Sequence, residues 1–505
     1  MLVPLSNKKI FITITFSLFL VICTANILHH EMWRDEMNVW MIAKYDSPQA
    51  MIDQVKVQGH PALWYLVVKA VQQIFPSPFG MALANLLFIS LAVLVLLKYA
   101  PFSRFQKIFL SFSYFILYEY GTISRNYGIS VFFIFFACAL YTHREKYTIP
   151  IAILMAISCS IHSMNLIIAC CFAFLFTAEQ IFSIRSTSNN RIPKYHLLTG
   201  AFILIIGVVL SLIQAMPPKD SPWAMSSGHK WLFYSPFNAL TVVWKSFIPI
   251  SFPSIHFWNT NILPDGHVMI LLSLLIIIAS CIIFIRKPII LSFYILGLMT
   301  FYFFFFKVYH GFIRHHGYLF IMFVISYWIS YDYIDTKHVN FFTRLNQVLM
   351  NKKFNFFTLI CFIQFVAVFI PIYFDWHYPF SESKEVGQYI IENHLQDNVF
   401  LGDKDVNVAP VSGWIDRAFY YPAIGDFARY VVWNHPNRKS HFLKDIRNSK
   451  IYHHMIKEKA KALANEKNKD VILILNYPID DKPLKTFTTS IVPDEVYYIY
   501  RVYPG

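Results

Sequence analysis

Residues 11–36 read FITITFSLFLVICTANILHHEMWRDE, an apolar run that ends abruptly in acidic and basic side chains. No charged residue occurs between Ile10 and Asn26. An apolar stretch of about 17 to 25 residues is long enough to cross the hydrocarbon core of a bilayer as a helix. No small-residue cleavage site follows the run, so it is expected to be a retained span and not a signal peptide. Asp35 and Glu36 then lie just beyond the end of the first membrane span.

The rest of the chain has the composition of a polytopic α-helical membrane protein. Of 505 residues, 56% are hydrophobic and only 14% are charged, whereas soluble domains carry about 25% charged residues. The net charge of +14 is divided among short clusters between apolar runs, which is typical of topology-setting loops and not of a nucleic-acid-binding surface. About eleven apolar runs are expected to be spans: 10–26, 81–98, 106–121, 127–142, 148–163, 165–183, 197–214, 267–285, 288–306, 317–331 and 356–374.

The distribution of basic residues predicts the orientation in the membrane. If the N-terminus is cytoplasmic, every Lys/Arg cluster between spans falls on the cytoplasmic side, as the positive-inside rule requires. The segment 61–75 is short and contains Lys69 and two glutamines, so it is expected to be an interfacial helix. Counting it as a span would invert the later loops. The expected location is the inner (plasma) membrane, with the C-terminus outside.

The residues after about 375 have a different character. Charged, helix-like stretches alternate there with the short β-like runs NVFLG, DVILILN and EVYYIYRVY. This alternation predicts a small extracytoplasmic α/β domain over 375–505. Residues 1–374 would form the transmembrane domain, with a first outer loop over 27–80 that carries juxtamembrane helices. All seven cysteines precede the tail and lie in apolar runs, so no disulfide framework or zinc spacing is indicated.

The acidic pair at the end of the first span is the first candidate for chemistry. Neighbouring side chains on a helix point about 100° apart, so only one of Asp35 and Glu36 can face a given substrate. One carboxylate suffices as a general base for a hydroxyl or amine. The other interpretation is an ordinary helix cap. A divalent metal site needs more oxygen ligands than the predicted outer loops supply near the pair, so a metal is not indicated.

Further polar residues are expected at the outer edges of the spans, where ionisable groups are functional candidates. Arginines there either hold a phosphate as a bidentate clamp or extend to the lipid headgroups. Histidines there either contact phosphate or sugar, or make interfacial hydrogen bonds. The candidates of both kinds, with one neighbouring tyrosine, are His60, Arg125, Tyr127, Arg314, His315 and His316.

Four motifs together resemble the GT-C superfamily of membrane glycosyltransferases. They are the Asp35-Glu36 pair, GHPALWY at 59–65, SRNYG at 124–128 and IRHHGYLF at 313–320. The superfamily includes protein O-mannosyltransferases, aminoarabinose transferases that act on lipid A, and bacterial relatives of glycosyltransferase family 39. The resemblance covers about residues 10–330 in organisation, together with a soluble outer domain.

This resemblance implies inverting transfer of a sugar from a polyprenyl-phosphate donor to a glycan, lipid or protein acceptor on the extracytoplasmic face. It assigns the general base to the first acid of the pair, which is Asp35. Donor or acceptor binding would fall to Glu36 and to the six edge residues named above. Some relatives carry a further acid in the outer loop between the third and fourth spans. TISRNYG has no acid after Glu119, which argues against a metal-assisted variant.

Two other classes remain as alternatives. O-antigen ligases and polymerases also use outer-loop Arg and His, but they concentrate these residues in one large loop and lack an early acidic pair. A flippase or transporter of lipid-linked sugars would carry ionisable residues within its spans, and few occur mid-span in this sequence.

Overall fold

The computed structural model describes residues 7–58, 60–182, 192–216, 236–336, 341–350, 355–438 and 449–505. Gly59 of the GHPALWY motif and the last residue of the run 165–183 lie outside the described residues. The helices before the C-terminal sheet are α1 (Asn7–His29), α2 (Arg34–Tyr45), α3 (Pro48–Val57), α4 (Leu63–Gln72), α5 (Phe79–Tyr99), α6 (Arg104–Ser111), π1 (Tyr114–Glu119), α7 (Tyr127–Tyr141), α8 (Arg144–Cys159), α9 (Asn165–Phe182), α10 (Lys194–Ala215), α11 (Pro236–Phe247), α12 (His267–Phe284), α13 (Pro288–Phe303), π2 (Phe304–Val308), α14 (Ile313–Ser330), α15 (Phe341–Leu349), α16 (Phe356–Ala367) and α17 (Phe369–His377).

The helical part confirms the predicted polytopic α-helical class and changes some of its details. Among the described residues, six helical segments are long and apolar enough to cross a membrane: α1, α5, α10, α12, α13 with π2, and α16 with α17. The predicted span 106–121 is interrupted, because α6 ends at Ser111 and π1 starts at Tyr114 after a cap in which the Ser113 hydroxyl accepts from the Ile116 N–H. Helix α11 was not predicted from the sequence.

Helix α14 is apolar for a different reason from the lipid-facing helices. Every one of its residues from Ile313 to Ser330 is buried within the protein. A helix that is buried all round is expected to be hydrophobic all round. The predicted run 317–331 is therefore a central helix of the bundle, and Arg314, in its first turn, is held inside the protein.

The first outer loop folds into three short helices, α2 to α4. The predicted interfacial helix 61–75 is α4, which buries Trp64, Tyr65 and Val68. The Lys69 ammonium group donates to the carbonyl oxygens of Ala43 at 3.0 Å and Asp46 at 2.7 Å, both near the end of α2. A cation at the carbonyl end of a helix is favourable, so Lys69 holds α4 against α2.

The C-terminal part is an α/β domain built on one mixed six-stranded sheet. Its elements are α18 (Ser383–Glu392), β1 (Val399–Asp403), α19 (Asp405–Ile415), β2 (Phe419–Tyr421), β3 (Asp426–Ala428), α20 (Lys450–Lys467), β4 (Val471–Leu475), β5 (Lys485–Phe487) and β6 (Tyr497–Val502). The strand order is β3-β2-β1-β4-β6-β5, and β1 is parallel to both β2 and β4. The three β-like runs predicted from the sequence are β1, β4 and β6.

The α/β domain contacts the outer-loop helices directly. Gly413 of α19 faces Met37 of α2 so closely that a Cβ atom there would lie 2.5 Å from the Met37 side chain. The Lys44 ammonium group is 3.1 Å from Asp416, and the Gln54 amide donates to the Asn434 side-chain oxygen at 2.6 Å. Helix α2 is thus packed between α4 and the α/β domain.

Candidate active site

Three of the predicted residues meet at one point. The Asp35 carboxylate lies 3.0 Å from Nη1 of Arg125 and 3.6 Å from Nη2 of Arg314. The two arginine side chains are only 9% and 8% exposed, whereas the Asp35 side chain is 33% exposed. The carboxylate is therefore held by cations on its inner side and open on the other.

Electrostatics keep this carboxylate ionised. Burial disfavours the charged form of Asp35, but the guanidinium groups of Arg125, Arg314 and Arg34 outweigh burial and hold its pKa below the ordinary value of 3.8. An ionised carboxylate with an open face can accept a proton from an approaching hydroxyl or amine.

The Arg314 guanidinium sits in an aromatic box. Its central carbon lies 5.2 Å from the ring centres of both Trp33 and Trp258 and 4.7 Å from that of Phe312. Behind the box, Glu119 accepts hydrogen bonds from Trp258 Nε1 at 3.3 Å and from the Tyr114 hydroxyl. Cation–π contacts of this kind are strongest where water is excluded, so the box fixes the arginine without neutralising it.

Glu36 lies beside Asp35 but is placed very differently. Its side chain is fully buried. One oxygen accepts from the backbone N–H of Ser124, and the other is 3.0 Å from Nε2 of His30 and 3.4 Å from the Trp33 N–H. The predicted contact of Glu36 with a substrate does not fit this geometry, because both oxygens already bind the protein. Glu36 instead holds the loop that carries Arg125.

His30 joins two distant carboxylates and was not singled out from the sequence. Its ring nitrogens lie 3.0 Å from Glu36 and 2.9 Å from Asp375, and the Tyr118 hydroxyl donates to the same Asp375 oxygen. Burial alone would lower the pKa of His30, but the carboxylates of Asp375 and Glu36 raise it to about 10. His30 is therefore a protonated bridge between the ends of α1, α2 and α17.

A group of rings forms a second wall next to the arginines. His162, which the sequence analysis did not select, is 6.1 Å from His60, 5.1 Å from Tyr127 and 6.2 Å from His315, measured between ring centres. Burial and the nearby charge of Arg125 lower the pKa of His60 to about 4. Burial also lowers the pKa of His162, with help from His60 and Arg125. Both imidazoles are neutral at physiological pH.

The two histidines of α14 point to different surroundings. Nδ1 of His315 accepts from the Phe312 N–H at 3.0 Å, and the ring packs edge-on against Tyr127, with 6.0 Å between the ring centres. Nε2 of His316 instead donates to the His310 carbonyl at 2.9 Å, and its ring packs edge-on against Phe305. The other ring nitrogen of His316, Nδ1, is buried without a hydrogen-bond partner among the described residues, so a substrate contact of His316 stays a prediction.

Several polar atoms around the arginines are buried and unsatisfied. Among the residues that the structure describes, the buried atoms without a hydrogen-bond partner in this region include Trp33 Nε1, His60 Nδ1, His162 Nε2 and Arg314 Nε. Leaving a polar group buried without a partner costs about 1–3 kcal/mol. Next to an open carboxylate, these atoms are available to the polar groups of a ligand. The described residues contain no group of three or more His, Cys, Asp or Glu side chains arranged to hold a metal ion.

Comparison with known proteins identifies the fold. No protein-family model and no curated protein sequence matches the chain. Among solved structures, the chain is similar to ArnT from Cupriavidus metallidurans bound to undecaprenyl phosphate, with a TM-score of 0.50 and 9% identity over 98% of both chains. At this low identity the similarity establishes the fold. The chain therefore has a GT-C-like fold, as its motifs implied.

Proposed function

We propose that this protein is an integral-membrane glycosyltransferase that moves a sugar from a polyprenyl-phosphate donor to an acceptor, with Asp35 as the general base. The observation that carries the proposal is the ionised, half-open Asp35 carboxylate between Arg125 and Arg314. The GT-C-like fold supports the reaction class, and the similar ArnT structure contains undecaprenyl phosphate, which supports a lipid-phosphate donor.

The geometry supports an inverting displacement. The acceptor hydroxyl or amine approaches the exposed face of Asp35, which takes its proton as the new bond to the anomeric carbon forms. The bond between that carbon and the donor phosphate oxygen breaks on the opposite side of the sugar, and the electron pair leaves with the phosphate. One carboxylate is sufficient, because no covalent sugar–enzyme intermediate is required.

The arginines are suited to the leaving phosphate. Each guanidinium has five N–H donors, and Asp35 occupies only part of this capacity. Arg314 Nε is buried with no partner among the described residues, so a phosphate oxygen would satisfy it. Arg125 and Arg314 therefore have two tasks: they keep Asp35 ionised before the reaction and stabilise the phosphate as its charge increases.

The neutral ring wall is suited to the sugar. His60 and His162 stay uncharged, so they offer hydrogen bonds to hydroxyl groups without competing with the arginines for Asp35. Tyr127 and His315 complete the same wall. We assign these four residues to the sugar, and we assign Glu36 and His30 to the positioning of α2 and the Arg125 loop.

The proposed orientation places the reaction on the extracytoplasmic face of the inner membrane. The N-terminus is then cytoplasmic, and the α/β domain and the site are outside. This assignment rests on the positive-inside rule and on the position of the site next to the α/β domain.

The test compares surface glycans and lipids from cells with the wild-type protein, without it, and with the Asp35→Asn variant expressed at the same level. Mass spectrometry is expected to find a sugar substituent only in cells with the wild-type protein. Identical glycans and lipids in all three would contradict the proposed function. A substituent that persists with Asp35→Asn would contradict the role of Asp35 alone.

A further inference from the structure

We infer that the α/β domain positions the catalytic helix, with Glu495 as the residue that caps α2 and so fixes the place of Asp35. This inference rests on the proposed function, which makes Asp35 the base. Glu495 is a positioning residue: it is fully buried and acts on the reaction only through α2.

The first contact is at the start of the helix. Arg34 is the first residue of α2, and a first-turn N–H has no acceptor within its own helix. The two Glu495 oxygens lie 3.1 and 3.3 Å from the Arg34 backbone nitrogen. The preceding residue, Trp33, has no side-chain acceptor, so it does not cap α2 in the usual way. The α/β domain supplies the missing acceptor from a residue that is 461 positions away in the chain.

The second contact holds the cap itself. The Arg34 guanidinium is 2.8 Å from the Asp494 carboxylate, so the same short turn binds both the backbone and the side chain of Arg34. The Asp494 carbonyl accepts from the side-chain amides of Asn407 at 2.7 Å and Asn476 at 3.3 Å. Asn407 follows β1 and Asn476 follows β4, the two adjacent parallel strands at the centre of the sheet. The cap is thus attached to the ends of the two central strands of the sheet.

The third contact fixes the body of the helix. Gly413 leaves just enough room for Met37, one turn into α2, and Met37 is 1% exposed. At the other end of α2, Asp416 binds Lys44 and the Tyr430 hydroxyl donates to Asp46. With contacts at both ends and in the middle, α2 can neither rotate nor slide without breaking several of them.

A small movement of α2 would affect the base at once. Asp35 follows Arg34 directly, and each residue of a helix is rotated by about 100° from the last. Its carboxylate must meet two arginines that belong to other elements, at 3.0 and 3.6 Å. Catalytic groups need to be held to within about 0.5 Å of their working positions. The α/β domain therefore helps to form the active site, because it fixes the position of Asp35 through α2.

The experiment uses the full-length protein in detergent micelles. Glu495→Ala removes the acceptor, Glu495→Gln keeps one uncharged acceptor oxygen, and Asp481→Asn is a matched control on an exposed carboxylate of the same domain. Hydrogen exchange is measured over the first turn of α2, and kcat and KM are measured with an undecaprenyl-phosphate-linked sugar. Loss of a cap is expected to speed exchange in that turn by about 2- to 30-fold.

Glu495→Ala is expected to lower kcat with little change in the donor KM, because the base is misplaced while the phosphate site stays intact. Glu495→Gln should recover most of both losses, and Asp481→Asn should match the wild type. Wild-type exchange over α2 in Glu495→Ala, or an effect on KM alone, would overturn the inference. Should Glu495→Ala fail to fold, Gly413→Ala tests the same packing, and unchanged exchange at Met37 together with unchanged kcat would overturn it.

Exchange separates this inference from the proposed function. If the wild-type protein transfers no sugar, the proposed function is wrong. The hydrogen-exchange data would still decide whether Glu495 holds α2.

Discussion

At the residue scale, two adjacent acids have different tasks because a helix turns them apart. Asp35 faces an opening and two arginines, whereas Glu36 faces the protein interior and binds Ser124 and His30. Side-chain chemistry alone does not distinguish them, since both are carboxylates in the first turn of α2. Their environments do, so conservative substitutions at the two positions should give different defects.

Asp35→Asn is expected to reduce transfer by roughly 10²- to 10⁴-fold, because an amide does not accept the proton. Some stability is lost as well, because the amide removes the counter-charge of the buried Arg125 and Arg314 guanidinium groups. The loss should be smaller than at the fully buried Glu36, since the Asp35 side chain is 33% exposed. The measurement is kcat on the purified variant, with thermal unfolding as the control. Transfer close to the wild-type rate would show that Asp35 is not the base.

Glu36→Gln is expected to show the reverse pattern, with a clear loss of stability. Glutamine keeps an acceptor for the Ser124 N–H but removes the charge beside protonated His30. Breaking one partner of a buried ion pair typically costs about 3–5 kcal/mol. Thermal unfolding of Glu36→Gln and Asp35→Asn side by side measures this, and equal melting temperatures would contradict the proposed division of tasks.

His30 gives the fold a pH dependence of predictable sign. Its pKa is raised from 6.5 to about 10 by Asp375 and Glu36, against the effect of burial. The stabilisation is therefore complete below about pH 6.5 and is lost as the pH rises towards 10. The melting temperature of the wild type should fall over this range. The melting temperature of His30→Gln should be lower at neutral pH and should fall less as the pH rises. Parallel curves of melting temperature against pH for the two proteins would contradict the assignment.

At the element scale, the site depends on the close approach of α14 to the segment 113–126. The Tyr120 hydroxyl donates to the Arg314 carbonyl at 2.8 Å. Gly317, one turn further along, permits this contact, because a Cβ atom there would lie 2.3 Å from the Tyr120 hydroxyl oxygen and 2.5 Å from the Phe115 ring. Helix α14 carries Arg314 and the segment 113–126 carries Arg125. The distance between the helix and the segment therefore sets the distance between the two arginines.

Gly317→Ala should accordingly destabilise the protein and weaken catalysis together. Overpacking of a buried position usually costs about 1–3 kcal/mol, and α14 would have to move with Arg314. Gly200→Ala is the matched control, because the nearest atom to a Cβ there is 3.4 Å away and alanine is the better helix former. Thermal unfolding and kcat on both variants decide the matter. Wild-type values for Gly317→Ala would contradict this account of the helix contact.

These contacts also show what the sequence could predict. Asp35, Arg125 and Arg314 could each be selected, since each stands at the edge of an apolar run. That these three side chains meet at one point could not be predicted. Their meeting depends on the packing of α14 against a loop that is almost 200 positions earlier in the chain. His30 was missed for the same reason, since its partner Asp375 is 345 positions away. The break in the run 106–121 falls within the sequence FLSFSYFIL at 109–117, where no proline, glycine or charged residue marks it.

At the scale of the whole molecule, the two ends of the bundle differ in chemistry. Asp35 and Arg314 lie in the first turns of α2 and α14, and Arg125 lies between π1 and α7. Helix α2 connects this group to the α/β domain. Helix α14 has 18 residues, or about 27 Å at 1.5 Å per residue, and beyond its far end lie Arg286 and Lys287, which pair with Asp335. That length is close to the thickness of the hydrocarbon core, so we expect the site and this basic pair to lie at opposite faces of the membrane.

This separation predicts the labelling pattern of single-cysteine variants in intact spheroplasts. Lys450→Cys, at an 88% exposed position of the α/β domain, should react with a membrane-impermeant thiol reagent before lysis. Lys146→Cys, exposed near the start of α8, should react only after the membrane is permeabilised, because basic loops stay in the cytoplasm. The wild-type protein gives the background from its own cysteines, six of the seven of which are at least partly buried. The reverse pattern would place Asp35 with the α/β domain in the cytoplasm and would contradict transfer on the outer face.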